Sequence, residues 1–297
     1  MPRPSTTALL AGVVDYAGLF PPASLSMADA VAEYLRARRG PSAWMLGRFV
    51  VPATRLADFA AVLHLQSAAE THAEPWGVSA IVRDGVANDV AVIAEFNGHA
   101  SSQGARVDSV EAKPLSIDSI DWLADTCGPF GEVYVELAPG PELPAWMARV
   151  AARGLRAKIR TGGITADAFP APAAIVSFIA EAVRHGVVFK ATAGLHHAVR
   201  GAYRLTYATD APSAPMYGYL NVLLATAALQ AGASVVEAET LLTLADPAAL
   251  VLRDGTVTWG GHEFTVAQLH ATRARLVSFG SCSFREPAEE FDALATR

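Results

Sequence analysis

The sequence is poor in cysteine. Only Cys127 and Cys282 occur among 297 residues, and they are far apart, without the close spacing of a metal site. We therefore expect no framework of disulfides, and the cysteine content is typical of a protein of the reducing cytoplasm.

Long apolar runs and clusters of basic residues are also missing. No segment reaches about 18 uninterrupted apolar residues, so we expect no membrane span. The first ten residues lack the apolar stretch of a secretory signal. The formal net charge is −6 and no basic run is present, so we expect no nucleic-acid partner. These absences favour a cytoplasmic protein that acts on small molecules.

What the sequence does contain is a regular alternation of two kinds of segment. Hydrophobic residues make up 52% of the chain, and short β-branched runs alternate with longer segments of helical periodicity. The predicted strands cover residues 12–15, 47–52, 76–82, 106–113, 132–137, 155–161, 187–192 and 276–279. The predicted helices cover residues 26–38, 54–65, 88–95, 116–125, 146–152 and 172–184, with a last helix from about residue 287.

This alternation predicts an α/β fold, a (β/α)8 TIM barrel. An open doubly wound sheet is the alternative, but no G-x-G-x-x-G motif follows the first strand. Only the connection between the seventh and eighth strands breaks the rhythm, with helices predicted near 217–230 and 235–244 and a turn at Gly260-Gly261. We interpret residues 1–297 as a single domain in which 198–275 form an elaborated helical insertion; a small appended subdomain is the alternative.

Charged side chains occur where the barrel interior should be apolar. Successive side chains of a strand point to opposite faces, and the outer face must be apolar because helices pack on it. In the fourth strand, either Glu111 with Lys113 or Asp108 faces inward. The other side chains predicted to face inward are Arg48, Tyr134, Glu136, Arg156, Lys158, Arg160, Lys190 and Thr192.

Burying these charges costs several kcal/mol each unless they are paired. A buried ion-pair network, such as Glu136 with Lys158, that only fixes packing is one interpretation. The charges, however, gather near the carboxyl ends of the strands, which form the catalytic face of barrel enzymes. The pattern therefore predicts an active site.

Two lysines on adjacent strands, Lys158 and Lys190, suggest its chemistry. Desolvation and a neighbouring cation both lower the pKa of a lysine. A neutral lysine condenses with a carbonyl to a Schiff base, which then stabilises a carbanion at the adjacent carbon. Glu136 or Glu111 is placed to move protons in such a reaction.

The same strand ends carry sequence motifs. The chain reads Val-Asp-Tyr-Ala-Gly-Leu at 14–19, Lys-Ile-Arg-Thr-Gly at 158–162, Lys-Ala-Thr-Ala-Gly-Leu at 190–195 and Gly-Ser-Cys-Ser at 280–283. These motifs resemble, in order, Ile-Asp-His-Thr-x-Leu, Lys-Thr-Ser-Thr-Gly, Lys-Ala-Ser-Gly-Gly-Ile and Gly-Thr-Ser of the deoxyribose-phosphate aldolase superfamily, the Schiff-base class I aldolases.

The resemblance implies that Lys158 forms the Schiff base and that Lys190 keeps its amine neutral. The acid/base group of the fourth strand would be Glu111 or Asp108, and strand parity and the nearness of Pro114 favour Glu111. The chain departs from the family at Arg160, which replaces a small serine. The resemblance therefore extends to the reaction class and not to the deoxyribose-phosphate substrate.

The substrate is expected to be a small anionic carbonyl compound. Backbone N–H groups of glycine-rich loops bind anions, and such loops end the sixth, seventh and eighth strands. The alternative is that these glycines only permit tight turns. The predicted substrate contacts are Asp15, Arg48, Lys113, Arg160, Thr161, Gly162, Thr192, Gly194, His196, His197, Ser281 and Ser283.

Two other chemistries remain as alternatives. Asp15, Glu136 and His196 are candidate ligands of a metal-dependent lyase or isomerase, but adjacent histidines diverge, so we expect no metal and no cofactor. Cys282 is either a thiol nucleophile with His197 as its base or a small residue lining the mouth. The predicted function is a class I aldolase or related carbon–carbon lyase; a non-catalytic binder of anionic metabolites is also compatible, and the sequence leaves open whether the chain forms a homo-oligomer.

Overall fold

The computed structural model describes residues 2–66, 75–83, 85, 87–100 and 104–296. The strands are β1 (Val14–Tyr16), β2 (Leu46–Pro52), β3 (Trp76–Arg83), β4 (Ala105–Lys113), β5 (Glu132–Glu136), β6 (Arg156–Arg160), β7 (Phe189–Thr192), β8 (Gly201–Arg204), β9 (Ser213–Met216), β10 (Leu250–Leu252), β11 (Thr256–Trp259), β12 (His262–Thr265) and β13 (Leu276–Ser281). The helices are α1 (Pro4–Leu10), α2 (Met27–Arg39), α3 (Leu56–Gln66), α4 (Ala87–Ala100), α5 (Ser119–Cys127), α6 (Leu143–Ala152), α7 (Pro172–Arg184), α8 (Tyr219–Gln230), α9 (Val235–Thr243), α10 (Val266–Arg275) and α11 (Arg285–Ala295).

Eight parallel strands form a closed barrel. The order around it is β1-β2-β3-β4-β5-β6-β7-β13, and β13 returns to pair with β1, with Val14 opposite Phe279. Helices between the strands cover the outer faces, where Val133 and Val135 of β5 are buried. The predicted (β/α)8 barrel is confirmed.

The β4 strand contains a bulge that decides its register. Val78 of β3 pairs with Val107, but the next residue, Ser79, pairs with Ser109, so Asp108 is an extra residue in the strand. Strict alternation would place only one of Asp108 and Glu111 inside the barrel. Because of the bulge, both have partners there: Asp108 pairs with Arg48, and Glu111 pairs with Lys158.

The connection between β7 and β13 is not purely helical. The predicted helices near 217–230 and 235–244 are present as α8 and α9. The prediction missed an antiparallel hairpin, β8-β9, and a three-stranded sheet, β10-β11-β12. Gly260 and Gly261, predicted as a turn, join β11 to β12 with φ of 54° and 85°, which glycine adopts without strain. Turn residues flanked by short β-branched runs were the missed signal.

Among the described residues, one helical segment, Ala166–Arg184, is long and apolar enough by composition to cross a membrane. Its main part is α7, which packs on the barrel through the buried side chains of Ile175, Val176, Phe178 and Ile179. This is the position of an ordinary covering helix of the barrel.

Candidate active site at the mouth of the barrel

A cavity of about 390 Å³ opens at the carboxyl ends of the barrel strands. Its floor contains Asp15, Glu111, Lys158 and Lys190. All four are buried, with 2 to 4% of their surface exposed. The cavity therefore presents two amines and two carboxylates to whatever occupies the mouth of the barrel.

Glu111 lies between the two lysines. Lys158 Nζ donates to Glu111 Oε2 at 2.9 Å, and the ammonium of Lys190 contacts the other oxygen, Oε1. The backbone brings the lysines side by side, since Lys158 on β6 pairs directly with Lys190 on β7. The carboxylate of Glu111 thus forms an ion pair with both lysines.

Each lysine has a second carboxylate. Lys158 Nζ is 2.8 Å from Glu136 Oε2, because Glu136 on the adjacent strand β5 pairs directly with Lys158 on β6. Lys190 Nζ donates to Asp15 Oδ2 at 3.2 Å and lies 4.4 Å from the centre of the Tyr134 ring. Lys190 is therefore fixed from three sides, and Lys158 is held by two carboxylates.

The pairing shifts the pKa values of these groups. Burial raises the pKa of Glu111, but the charges of Lys158 and Lys190 lower it by more, so it lies well below its ordinary value. Burial likewise raises the pKa of Glu136, and Lys158 and Arg160 bring it below the ordinary value. Burial lowers the pKa of Lys190, but Glu111 and Asp15 raise it more, and the net shift is upward.

This arrangement bears on the role expected for Lys190. The sequence predicted a neighbouring cation beside Lys158, but Glu111 stands between the two amino groups and is bonded to both. The pairing favours the charged forms of Glu111 and Lys190. Lys190 therefore faces Lys158 across the carboxylate of Glu111.

Buried serines complete the network. Ser79 Oγ donates to Glu111 Oε1 at 2.7 Å and lies 3.0 Å from Ser109 Oγ, and Ser278 Oγ donates to Asp15 Oδ2 at 2.7 Å. These three serines were not predicted from the sequence. Strand parity would have found Ser79, because Val78 and Ala80 on either side of it are apolar and face the helices.

Several other predicted contacts do line the mouth cavity: Arg160, Gly162, Thr192, Gly194 and His196. The side chain of Arg160 is 55% exposed, and its Nε lies 3.6 Å from Glu136 Oε1. A guanidinium at the open side of the cavity is placed to meet an anionic group.

Two predicted contacts next to the cavity have structural partners instead. Thr161 is fully buried, and its hydroxyl donates to the Ala193 carbonyl at 2.6 Å, which ties the sixth and seventh strand ends together. Ser281 is also buried, with its hydroxyl 3.2 Å from His196 Nδ1. Neither residue lines the mouth cavity.

Arg48 and Asp108 lie in a separate cluster. Arg48 Nε donates to Asp108 Oδ1 at 2.8 Å, and Arg48 Nη1 is 3.0 Å from Glu132 Oε2. Both line a different cavity, of about 410 Å³, near the amino ends of β2 and β4. Of the two candidates on β4, the structure therefore brings Glu111 to the lysines and leaves Asp108 with Arg48.

The remaining predicted contacts, Lys113, His197 and Ser283, also lie away from the mouth cavity. Lys113 is exposed at the end of β4. The His197 ring stacks on Tyr203 at 3.4 Å, and its Nδ1 is 2.6 Å from Glu290 Oε1. Ser283 lines a neighbouring cavity of about 650 Å³. The structure thus separates the two adjacent histidines, and only His196 reaches the mouth.

His196 has an unexpected set of neighbours. Its Nδ1 is 3.8 Å from Cys282 Sγ and 3.4 Å from Glu286 Oε2. Burial lowers the pKa of His196, but Cys282 and Glu286 raise it by more, to about 9. The histidine beside Cys282 is therefore His196, whereas His197, named as the base in the nucleophile alternative, stacks on Tyr203 and pairs with Glu290.

The candidate metal ligands do not meet. Asp15 is bonded to Lys190 and Ser278, Glu136 to Lys158, and His196 faces Glu286. Within the described ranges, no group of three or more His, Cys, Asp or Glu side chains is arranged to hold a metal ion.

Comparisons with known proteins identify no family. No family model matches the chain, and no curated protein matches it. Two solved structures of Xanthomonas albilineans dihydropteroate synthase are similar to it: one is in complex with indole-2-carboxylic acid and 6-chloroguanine, the other with 4-aminobenzoic acid. Each is 14% identical, with a TM-score of 0.38, and the match covers 96% of this chain and 89% of that chain. Similarity at this level says nothing about the chemistry of this chain, and the aldolase resemblance stays a prediction.

Proposed function

We propose that this protein is a barrel enzyme that forms a Schiff base between Lys158 and a small anionic carbonyl compound, and makes or breaks a carbon–carbon bond next to that carbonyl. The observation that carries the proposal is the pairing of Lys158 with two carboxylates, Glu111 at 2.9 Å and Glu136 at 2.8 Å, on the floor of an open cavity. An amine with two proton acceptors within reach has what imine formation requires.

Lys158 is the better nucleophile of the two lysines. Lys190 donates to Asp15 and to Ser79, contacts Glu111 and lies over the Tyr134 ring. Moving it would break all four contacts. Lys158 has two such contacts, to Glu111 and Glu136, and the side chain of Glu136 is 11% exposed.

The reaction then follows from the positions of these groups. Lys158 gives a proton to Glu136 or Glu111 and attacks the carbonyl carbon. The carbonyl oxygen takes that proton back from the carboxylate and a second one from the nitrogen, and leaves as water, so an iminium remains. A carboxylate then takes the proton of the substrate's β-hydroxyl group, the Cα–Cβ bond breaks with its electron pair moving into the iminium, and the other fragment leaves as a carbonyl compound. The carboxylate returns this proton to the α-carbon, and water hydrolyses the imine to free Lys158. Lys190 keeps Glu111 oriented throughout.

Arg160 and the glycine-rich strand ends supply the specificity. The Arg160 guanidinium and the backbone at Gly162, Gly163 and Gly194 line the same cavity as the lysines. A planar cation and backbone N–H groups together fit a carboxylate or phosphate. A cavity of about 390 Å³ limits the substrate to a small molecule.

Borohydride trapping tests the proposal. The protein is incubated with a panel of small aldehydes, ketones and keto acids, reduced, and examined by intact mass and peptide mapping. We expect one stable adduct on Lys158, lost in Lys158→Met and retained in the control Lys113→Met, which removes an exposed lysine of β4. An adduct confined to Lys190, or a folded protein that binds these compounds without forming any adduct, would overturn the assignment. Binding without an adduct would indicate the non-catalytic alternative.

A further inference from the structure

Cys282 lies at the boundary of two cavities and takes no part in the proposed reaction. It follows the end of β13 and precedes the first turn of α11. Although only 4% of its surface is exposed, it lines both the mouth cavity of about 390 Å³ and the neighbouring cavity of about 650 Å³. A small molecule in the mouth of the barrel therefore has access to its thiol.

Three polar groups surround this thiol. His196 Nδ1 lies 3.8 Å from Cys282 Sγ, and Tyr207 Oη lies 3.5 Å from it. Glu286 holds both neighbours, since its Oε2 is 3.4 Å from His196 Nδ1 and accepts from Tyr207 Oη at 3.1 Å. A cysteine beside a histidine that is itself held by a carboxylate has the arrangement of an activated nucleophile.

The second cysteine of the chain provides a contrast. Cys127 ends α5 and belongs to the hydrophobic core. Burial raises the pKa of its thiol to about 11, as expected for a cysteine in apolar surroundings. The protein thus carries one cysteine in the core and one among polar groups at a cavity, and only the second is built to react.

We propose that Cys282 is a second nucleophile of the mouth cavity, which binds an aldehyde covalently and reversibly as a hemithioacetal, with His196 as the group that carries the proton. The thiol and Lys158 open onto the same cavity, and both attack the same kind of atom, an electrophilic carbonyl carbon. An aldehyde is the simplest such electrophile, because addition of a thiol needs no leaving group. The inference does not depend on Lys158.

The step balances without any oxidant or cofactor. The charged His196, held by Glu286, gives its Nδ1 proton to the carbonyl oxygen while the sulfur electron pair forms the S–C bond and the π pair of the carbonyl moves to that oxygen. The imidazole, now neutral, takes the thiol proton, so the product is the hemithioacetal and His196 is charged again. Reversal of the same steps releases the aldehyde.

Protection from alkylation tests the proposal in a Lys158→Ala background, where no Schiff base at that residue can compete. Iodoacetamide labelling of the native protein, followed by peptide mapping, is expected to modify Cys282 and to spare Cys127. Glyoxylate, an anionic aldehyde, is expected to protect Cys282 in a dose-dependent manner that is reversed by dilution. Glycolate, which has the same size and charge without the aldehyde, serves as the matched control and should not protect.

Variants of the neighbours test the role of His196. We expect His196→Gln to slow labelling of Cys282 by at least about tenfold, because the positive charge beside the sulfur is lost, while denatured wild-type and variant proteins label equally. Equal protection by glycolate and glyoxylate, or a native Cys282 as unreactive as Cys127, would overturn the proposal. Those outcomes leave the borohydride result on the wild-type protein unaffected, so the two proposals fail separately.

Discussion

Five ionisable side chains occupy the carboxyl half of this barrel, where aliphatic residues are usual. They form one chain of ion pairs in which each lysine contacts two carboxylates: Lys158 contacts Glu111 and Glu136, and Lys190 contacts Glu111 and Asp15. Such a network rarely stabilises a protein more than apolar residues of the same volume. Stability alone therefore does not account for such a network inside a barrel.

Glu111 is the residue on which this network depends. Replacing it by glutamine removes one of the three carboxylates that pair with the two buried lysines. We expect the free energy of unfolding to fall by about 3 kcal/mol. Urea unfolding at pH 7 measures this. The matched control is Glu263→Gln, whose side chain is 55% exposed beside Arg253, and its effect should stay within about 0.5 kcal/mol.

The same pair of proteins has a predictable pH dependence. The pKa of Glu111 is lowered in the folded state, so its contribution is present above the unfolded pKa, about 4.3, and is lost as the pH falls through the lower folded pKa. The stability gap between wild type and Glu111→Gln should be constant from pH 7 to pH 5. A gap that closes already in that range would contradict the lowered pKa.

His196 should show the opposite sign. Its pKa is raised to about 9 by Cys282 and Glu286, so its contribution is complete below the unfolded pKa of about 6.5 and disappears as the pH rises through about 9. We expect the stability difference between wild type and His196→Gln to be largest near pH 6 and to shrink by pH 9.5. A difference that does not change over this range would show that the pKa of His196 is the same in the folded and unfolded protein.

At the scale of strands and loops, the site is built from regular alternation and from one departure from it. Alternation correctly predicted the partners Glu136, Lys158 and Lys190, because inward residues of adjacent strands are neighbours whatever the detail of the loops. It favoured Glu111 over Asp108 but could not show that both side chains face inward, since the bulge in β4 depends on pairing with the neighbouring strand β3. Local sequence does not record that pairing.

The loop after β7 offers a test of close packing at the cavity. Gly194 has a φ of 76°, and a Cβ there would lie 2.9 Å from the Phe169 ring and 3.0 Å from the Gly162 backbone. Gly232 also has positive φ, 92°, but faces open space. We expect Gly232→Ala to cost about 1 to 2 kcal/mol for the backbone conformation alone and Gly194→Ala to cost at least about 1 kcal/mol more for the clash.

Urea unfolding and ligand binding together check this comparison. Because Gly162 and Gly194 both line the cavity, relieving the clash must move the wall of the site, so Gly194→Ala should also weaken binding of the trapped carbonyl compound. Gly232→Ala, after the end of α8, should leave binding unchanged. Equal costs for the two substitutions would mean that the loop after β7 moves to relieve the clash without a cost in stability.

Over the whole molecule, the barrel was predictable because its period is repeated eight times, and each unit supports the same interpretation. The connection between β7 and β13 was less predictable since it occurs once. Its strands are only three or four residues long, too short for alternation to distinguish them from loops. Cys282, His196 and Glu286 meet only because α11 returns to the mouth of the barrel, so their contact has no signal in the sequence.

Most of the insertion shares the hydrophobic core of the barrel, and a small separate cluster at the β8-β9 hairpin contains only Leu205, Ala214 and Met216 among the buried residues that the structure describes. Every residue of α8 from Tyr219 to Ala228 is buried, and one continuous cluster contains Leu224 of α8, Trp259 of β11 and Phe279 of the barrel strand β13. A subdomain that folds separately would need a core of its own. We therefore expect the chain to unfold as one cooperative unit.

Two single-tryptophan variants can test this, each made by replacing the other four of the five tryptophans with phenylalanine. One keeps Trp259, which is buried in the insertion and donates to the Leu241 carbonyl at 3.0 Å, and the other keeps Trp76, which is buried in β3 of the barrel. Within each variant, the urea transition by fluorescence should coincide with that by circular dichroism, as two-state unfolding requires. A Trp259 signal that is lost at lower urea than the helical signal would show that residues 198–275 form an appended subdomain, since the insertion would then open while the barrel remains folded.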